Sequence, residues 1–259
     1  MSARLNGGAV VYPSHPLWAL QLTPLSAVRV VILTGNEKSF STGMDLGVFQ
    51  DMDALAKKET CPGRVRESLV HIIQWLQDAI SGPEKCVVPV IAAISGHCIG
   101  GAVDLATACD LRYCTDDATF SIKETDLAMV ADIGTLQRLP KLIPMAVVKE
   151  LAYTGRRMGA EQALQHGLVN QVLPDAASAL DAAMKVAHEI ASKPPIAIAG
   201  TKQALHYARD HSTEDALKQM GWLQSGIWSN RHVQEAIAAF QTKRTGHYPE
   251  LAELKSFKD

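Results

Sequence analysis

At 259 residues the chain is long enough for one large core, or for a main domain with a helical appendage. Its 25 Lys+Arg against 27 Asp+Glu give a net charge of -2, and with no Lys/Arg-rich run this argues against a nucleic-acid surface. The composition, 47% hydrophobic and 20% charged, is that of a globular protein, and no stretch approaches the roughly 20 apolar residues of a membrane span.

Residues 1–27 are interrupted by Gly7-Gly8, Pro13, Pro16 and Pro24 and read as loop. The run Val28-Arg29-Val30-Val31-Ile32-Leu33-Thr34, stopped by Gly35, is short and β-branched, and predicts a buried strand. A flexible segment follows to about Pro62. Over 65–80, Val65, Leu69, Ile72, Ile73, Leu76 and Ile80 recur at helical spacing and predict an amphipathic helix.

The run 87–94 predicts a second buried strand, against which Pro89 counts because it cannot donate to a sheet. Gly100-Gly101 then opens a helix over 102–109, followed by short strands at 111–114 and 119–122. From Gly134 onward helices dominate: 160–166, closed by Gly167, then an extended 168–173, a long helix over 176–192 stopped by Lys193-Pro194-Pro195, and helices at 195–209, 213–228 and 233–242. Alternating strands and helices with a helical tail predict an α/β fold. The expected organisation is an N-terminal segment 1–27, a core 28–192 and a C-terminal helical region 193–259.

Cys61, Cys86, Cys98, Cys109 and Cys114 form no CxxC pair, and an odd number fits a reduced compartment. Several lie in or beside apolar runs, where a thiol is usually a small core residue. No targeting segment is recognisable at either terminus, in particular no terminal Ser-Lys-Leu.

Four features carry possible chemistry. A Gly pair at a helix start lets backbone approach a ligand and leaves helix amides pointing outward, though it also serves as a plain packing turn. Asp104 falls in the first turn of that helix, where an acid also simply complements the helix dipole. Glu124, in Ser121-Ile122-Lys123-Glu124-Thr125-Asp126, reads equally as a solvated acid paired with Lys123. Asp132 sits in an apolar loop, Leu127-Ala128-Met129-Val130-Ala131-Asp132-Ile133, where a carboxylate is costly unless hydrogen-bonded, used, or capping the helix that follows.

Taken together, Phe40-Ser41-Thr42-Gly43-Met44-Asp45-Leu46 and Pro89-Val90-Ile91-Ala92-Ala93-Ile94-Ser95-Gly96, leading to Ile99-Gly100-Gly101-Ala102-Val103-Asp104-Leu105, resemble the two signature loops of the crotonase (enoyl-CoA hydratase/isomerase) superfamily. The likeness extends from about residue 28 to 242 and includes Gly134-Thr135-Leu136-Gln137-Arg138-Leu139-Pro140. Val103-Asp104-Leu105, Lys123-Glu124-Thr125-Asp126 and the Ala131-Asp132 run are most similar to the dienoyl-CoA isomerase branch. Ala102 stands where a third Gly is common, His97 where a small residue is common, and the family's N-terminal nucleotide-binding segment has no counterpart in 1–27.

That resemblance implies a spiral of ββα turns with a C-terminal helical trimerisation region, and conversion of 3,5-dienoyl-CoA to 2,4-dienoyl-CoA in unsaturated fatty acid β-oxidation. It implies catalytic acids Asp104, Glu124 and Asp132, with Asp132 kept protonated by apolar surroundings. The amides of Met44 and Gly101 would form an oxyanion hole, with substrate contacts from Gly43, Asp45 and Gly100. It implies no metal or redox cofactor, coenzyme A entering as part of the acyl-CoA substrate. A homotrimer or homohexamer in the mitochondrial matrix or peroxisome is expected. The alternatives are an enoyl-CoA hydratase, which typically uses two glutamates, and a catalytically impaired binding protein on the same fold.

Overall fold

The strand β3 (Val30–Thr34) puts Val30 and Ile32 on one face and Val31 and Leu33 on the other, all without solvent contact. Its neighbour β5 (Val90–Ile94) does the same, with Ile91 and Ala93 opposed to Val90, Ala92 and Ile94. Strands buried on both faces read as unbroken apolar runs, which is why these two stand out in the sequence. Pro89 precedes β5 and spends no ladder donor.

The computed structural model describes residues 3–4, 9–13, 27–36, 38–45, 47 and 61–252. Two sheets organise it. The larger has the order β1 (Ala3–Arg4), β2 (Ala9–Pro13), β3, β5, β7 (Leu111–Thr115), β10 (Gln171–Leu173), parallel throughout except for β1 against β2. The smaller has the order β4 (Ser39–Ser41), β6 (His97–Ile99), β8 (Thr119–Ser121), β9 (Met158–Gly159), of which the last is antiparallel.

Each of β3, β5 and β7 in the large sheet is followed in sequence by a strand of the small one. The helices α1 (Pro62–Ile80) and short α2 (Gly82–Lys85) follow β4, and α3 (Gly101–Ala108) follows β6. This repeated ββα turn is the expected spiral. A four-residue α4 (Thr135–Arg138), then α5 (Met145–Thr154) and α6 (Ala160–Gln165), precede β10.

One apolar layer lies between the sheets and helices, the other beneath α7 (Ala176–Ala191). There Ala183 and Ala187 pack on Val30, Ile32, Ile91, Ala93 and Tyr113, their small side chains allowing close approach to the sheet. The tail is α8 (Pro195–Asp210), α9 (Thr213–Ile227) and α10 (Asn230–Gln241). Ser212 and Ser229 cap the last two by accepting the amides of Asp215 and His232. On these helices Trp222 and Phe240 are more than 80% exposed.

One expectation is corrected. Residues 3–4 and 9–13 are strands rather than loop, because Ala9–Pro13 pairs in parallel register with β3, and tertiary pairing overrides the local breakers. Elsewhere in 1–26, and over 48–60 within the expected flexible segment, the sequence reading lies outside the described residues.

Three thiols are buried: Cys98, Cys109 and Cys114. Burial pushes Cys109 and Cys114 up to about 12, and Cys98 higher than its ordinary value as well. Buried Arg112 closes the end of α3, its guanidinium donating to the carbonyls of Ala106 and Cys109 and, across the chain, of Leu168.

The tail is fastened to the core by Lys202 of α8, whose ammonium donates to Pro83 O at 2.7 Å, Val88 O at 3.1 Å and Asp110 Oδ2 at 2.7 Å. The same carboxylate oxygen accepts Val90 N–H. Burial works against the charge on Asp110, but the His206 and Lys202 contacts outweigh it and hold the carboxyl below its usual range. Removing one member of such a buried pair leaves the other unpaired, so Lys202→Met is expected to cost about 3–5 kcal/mol in urea unfolding. The double variant Lys202→Met/Asp110→Asn should recover part of that loss.

Candidate active site

The site begins where two loops touch. Gly43, at φ +90°, lies so close to the turn after β6 that a methyl group on it would stand 2.9 Å from Ile99 O and 3.5 Å from Gly101 N. The loop that carries Met44 is therefore in contact with the start of α3. Gly100 reaches φ +59° in that turn, which favours glycine, and donates its amide to Ser121 O of β8 at 2.9 Å. Gly101 is the first residue of α3, so its amide has no acceptor within the helix. Asp45 is exposed, and its Oδ1 accepts Gly47 N–H at 2.8 Å, which shapes the loop beyond Met44.

Around this turn three acids gather. Asp104, in the first turn of α3, is fully buried. Its Oδ1 accepts the Thr135 amide at 2.5 Å, while Oδ2 is buried with no hydrogen-bond partner among the described residues. Burial raises this carboxyl above its ordinary value, against the pull of the Thr135 contacts and the Arg138 charge. Asp104 thus does more than complement its own helix dipole, since it satisfies the first amide of α4 across the site.

Glu124 opens the one-turn 3-10 helix Glu124–Leu127 after β8. Its carboxylate lies over the glycine turn: a methyl on Gly100 would be 3.2 Å from Glu124 Oε1, and Oε2 is buried without a hydrogen-bond partner among the described residues. Burial, and then the charges of Asp104 and Asp132, push it above the usual glutamate value. Lys123 pairs with Asp126 at 2.6 Å rather than with Glu124, so the solvated ion-pair reading of Glu124 does not hold. The 3-10 turn is itself anchored, with Thr125 Oγ1 donating to Ala152 O and Ser121 Oγ to Gly155 O.

Asp132 corrects an expectation. Its side chain is exposed, not enclosed by apolar groups, because the buried positions are its neighbours Ala131 and Ile133. Neither does it cap α4, whose N-cap is Gly134 with no side-chain capping bond. It still belongs to the cluster, since its charge reaches Glu124.

Sequence reasoning missed what holds these acids. Gln77 of α1 donates its side-chain amide to Asp132 O at 2.7 Å, Ile133 Cδ1 would lie 3.5 Å from a methyl on Gly101, and Thr135 supplies the bond to Asp104. Only the Gly134-Thr135 run was a visible signal. Gln77 is an unremarkable polar residue on a helix and carries none.

Comparison with known proteins bears on this arrangement. The family model described as enoyl-CoA hydratase/isomerase matches residues 20–250. The chain is 45% identical over 219 residues to the mitochondrial Δ(3,5)-Δ(2,4)-dienoyl-CoA isomerase of Homo sapiens, covering 83% of this chain and 66% of that protein, and so spans just under two thirds of its length. It is 42% identical to the peroxisomal Δ(3,5)-Δ(2,4)-dienoyl-CoA isomerase of Arabidopsis thaliana, covering 86% of this chain and 81% of that one. Among solved structures, an enoyl-CoA hydratase from Bacillus anthracis superposes with a TM-score of 0.83 at 30% identity, over 96% of this chain and 98% of the other.

The electrostatics of Asp104 yield a stability test. Its folded-state carboxyl is raised above 3.8, so the folded chain holds this proton more tightly than the unfolded one. The advantage is present at low pH and is lost as pH rises through the raised value. Asp104→Asn removes the titration while keeping an oxygen for Thr135 N–H. Its melting temperature relative to the parent is therefore expected to climb between about pH 4 and pH 7. A relative fall over that interval would contradict the assignment.

Proposed function

The chain belongs to the enoyl-CoA hydratase/isomerase family, and on that premise we propose that it isomerises 3,5-dienoyl-CoA to 2,4-dienoyl-CoA. The observation that carries this reading is the pair of buried, unpartnered carboxylate oxygens, Asp104 Oδ2 and Glu124 Oε2, beside a glycine turn with an outward helix amide. Leaving such oxygens unpaired costs stability, and a substrate with acidic C–H groups gives them a use.

In this mechanism the amides of Met44 and Gly101 donate hydrogen bonds to the thioester oxygen and stabilise the negative charge that develops on it. Glu124 takes a proton from C2, and the electron pair spreads over C1 to C6 as an extended dienolate. Asp132 gives a proton to C6, so the double bonds at C3 and C5 become double bonds at C2 and C4 with no net change in atoms or electrons. Glu124 ends protonated and Asp132 ionised, and exchange with solvent resets both.

A raised carboxyl suits Glu124, because a base whose own acid form is weaker removes a carbon-bound proton more readily. Asp132 lies on the exposed side of the same turn, where the acyl chain reaches it when substrate binds. Asp104 orients the turn that carries Asp132, and its charge helps keep Glu124 weakly acidic. Gly43, Asp45 and Gly100 shape the substrate-facing loops. Coenzyme A enters with the substrate, and the carboxylates alone carry the proton transfers.

The exposed apolar side chains on α8, α9 and α10, including Leu205, Leu217, Trp222, Ile237 and Phe240, support a homotrimer or a dimer of trimers. Relatives named for mitochondria and for peroxisomes support either compartment for this chain.

The test is ultraviolet absorbance of a 3,5-dienoyl-CoA mixed with the protein, which reports conjugation of the diene with the thioester. Glu124→Gln and Asp132→Asn are each expected to lower kcat by about 10²–10⁴-fold while remaining folded. Gly43→Ala, which pushes the two amide-bearing loops apart, is expected to lower it by about 10²–10³-fold. A folded parent that produces no conjugation, or that adds water to a 2-enoyl-CoA instead, sinks the proposal.

A further inference from the structure

Between the acid cluster and the helical tail runs a second set of charges that the proposed proton transfers do not use. Arg138, the last residue of α4, is nearly buried. Its Nε and Nη2 both donate to Glu84 Oε2, at 3.0 and 2.9 Å, Nη2 also donates to Ser81 Oγ at 2.6 Å, and Nη1 reaches Ile133 O at 3.5 Å. The guanidinium lies directly over Gly134, where a methyl group would overlap Nη1 and where φ is +136°. On the far side Arg209 of α8 forms an ion pair with Glu84 Oε1.

We infer that Arg138, clamped by Glu84, is a positioning residue that sets the acid constellation by fixing the turn from Ile133 to Thr135. The chain of contacts is continuous. Arg138 covers Gly134 and holds Ile133 O; Gly134 starts α4; Thr135 N–H is the hydrogen bond given to Asp104; and Asp132 precedes the same turn. A lysine in place of Arg138 keeps the charge but has no planar fork to lie on Gly134 while gripping a carboxylate.

The grip is strong enough for this role. Burial alone would push the Glu84 carboxyl up, yet the charges and hydrogen bonds of Arg138 and Arg209 outweigh it and hold Glu84 below its usual value, so the clamp stays ionised at neutral pH. The Arg138 charge also acts on Asp104, in the direction that opposes its burial. Through Arg209 the clamp is attached to α8, which Lys202, the eighth residue of that helix, fixes to the core.

The inference rests on the isomerase reading for its kinetic half and on geometry alone for its structural half, and the experiment separates them. In the full chain, Arg138→Lys and Glu84→Gln are measured for kcat and KM on a 3,5-dienoyl-CoA, and for hydrogen exchange of the Thr135 amide. Arg138→Lys is expected to lower kcat by about 10²-fold, the scale of a misplaced catalytic group, with KM changed by less than about threefold, and to speed Thr135 exchange. Glu84→Gln, which leaves Arg138 an oxygen to hold, should shift both in the same direction by less.

Because Arg138 acts through Asp104 and its turn, Arg138→Lys should cost much less in an Asp104→Ala background, which has no acceptor for the Thr135 amide, than in the parent. Additive losses, a folded Arg138→Lys variant with parental kcat, or unchanged Thr135 exchange would each overturn the inference. A parent chain that fails to isomerise the dienoyl-CoA would defeat the proposed function, while the exchange measurement would still decide whether Arg138 holds the turn.

Discussion

A carboxylate with no solvent contact depends on whatever hydrogen bonds the protein gives it, and Asp104 is given the amide of Thr135. That bond ties the first turn of one helix to the first turn of another, α3 to α4. It draws together the glycine turn, which starts α3, and the loop that carries Asp132 into α4. Glu124 then completes the cluster from a third segment, over Gly100. Had Asp104 been apolar, the two helix starts would have met through packing, which fixes distance but not direction.

The remainder of the structure holds this geometry still. Parallel strands buried on both faces deliver β5 and β7 in fixed register, so β6 and β8 leave the small sheet at set positions and the Gly100 amide finds Ser121 O. Behind them, buried charges are paired instead of avoided: Lys202 with Asp110, and Glu84 with both Arg138 and Arg209. Such pairs contribute little net stability against well-packed apolar groups, but they are directional, and direction is what an acid site demands.

The parts of the fold that were legible in the sequence are those with a strong local cause. Val30 to Leu33 and Val90 to Ile94 declare buried strands because both faces are apolar, and Gly100-Gly101 declares a strand-to-helix turn because side chains do not fit there. Asp104 and Glu124 were legible as candidates through their place near that turn. What escaped depends on partners distant in the chain: Ala9–Pro13 is a strand by pairing with β3, Gln77 matters through a carbonyl 55 residues away, and Arg138 through Glu84, 54 residues away. The exposure of Asp132 escaped because an apolar sequence neighbourhood does not say which side chain of a loop turns outward. Ala131 and Ile133 took the buried positions.

The thiols buried in this core acquire a further meaning from the proposed product. A 2,4-dienoyl thioester is conjugated and electrophilic, and thiolates add to such acceptors. Cys98 lies on β6, two residues before the glycine turn, with Cys109 and Cys114 also in the core. Burial pushes the Cys109 thiol up to about 12, which keeps it in the unreactive thiol form at neutral pH, and Cys98 is fully enclosed as well. The burial that fills the space behind the site therefore also shields these three thiols from alkylation by the proposed product.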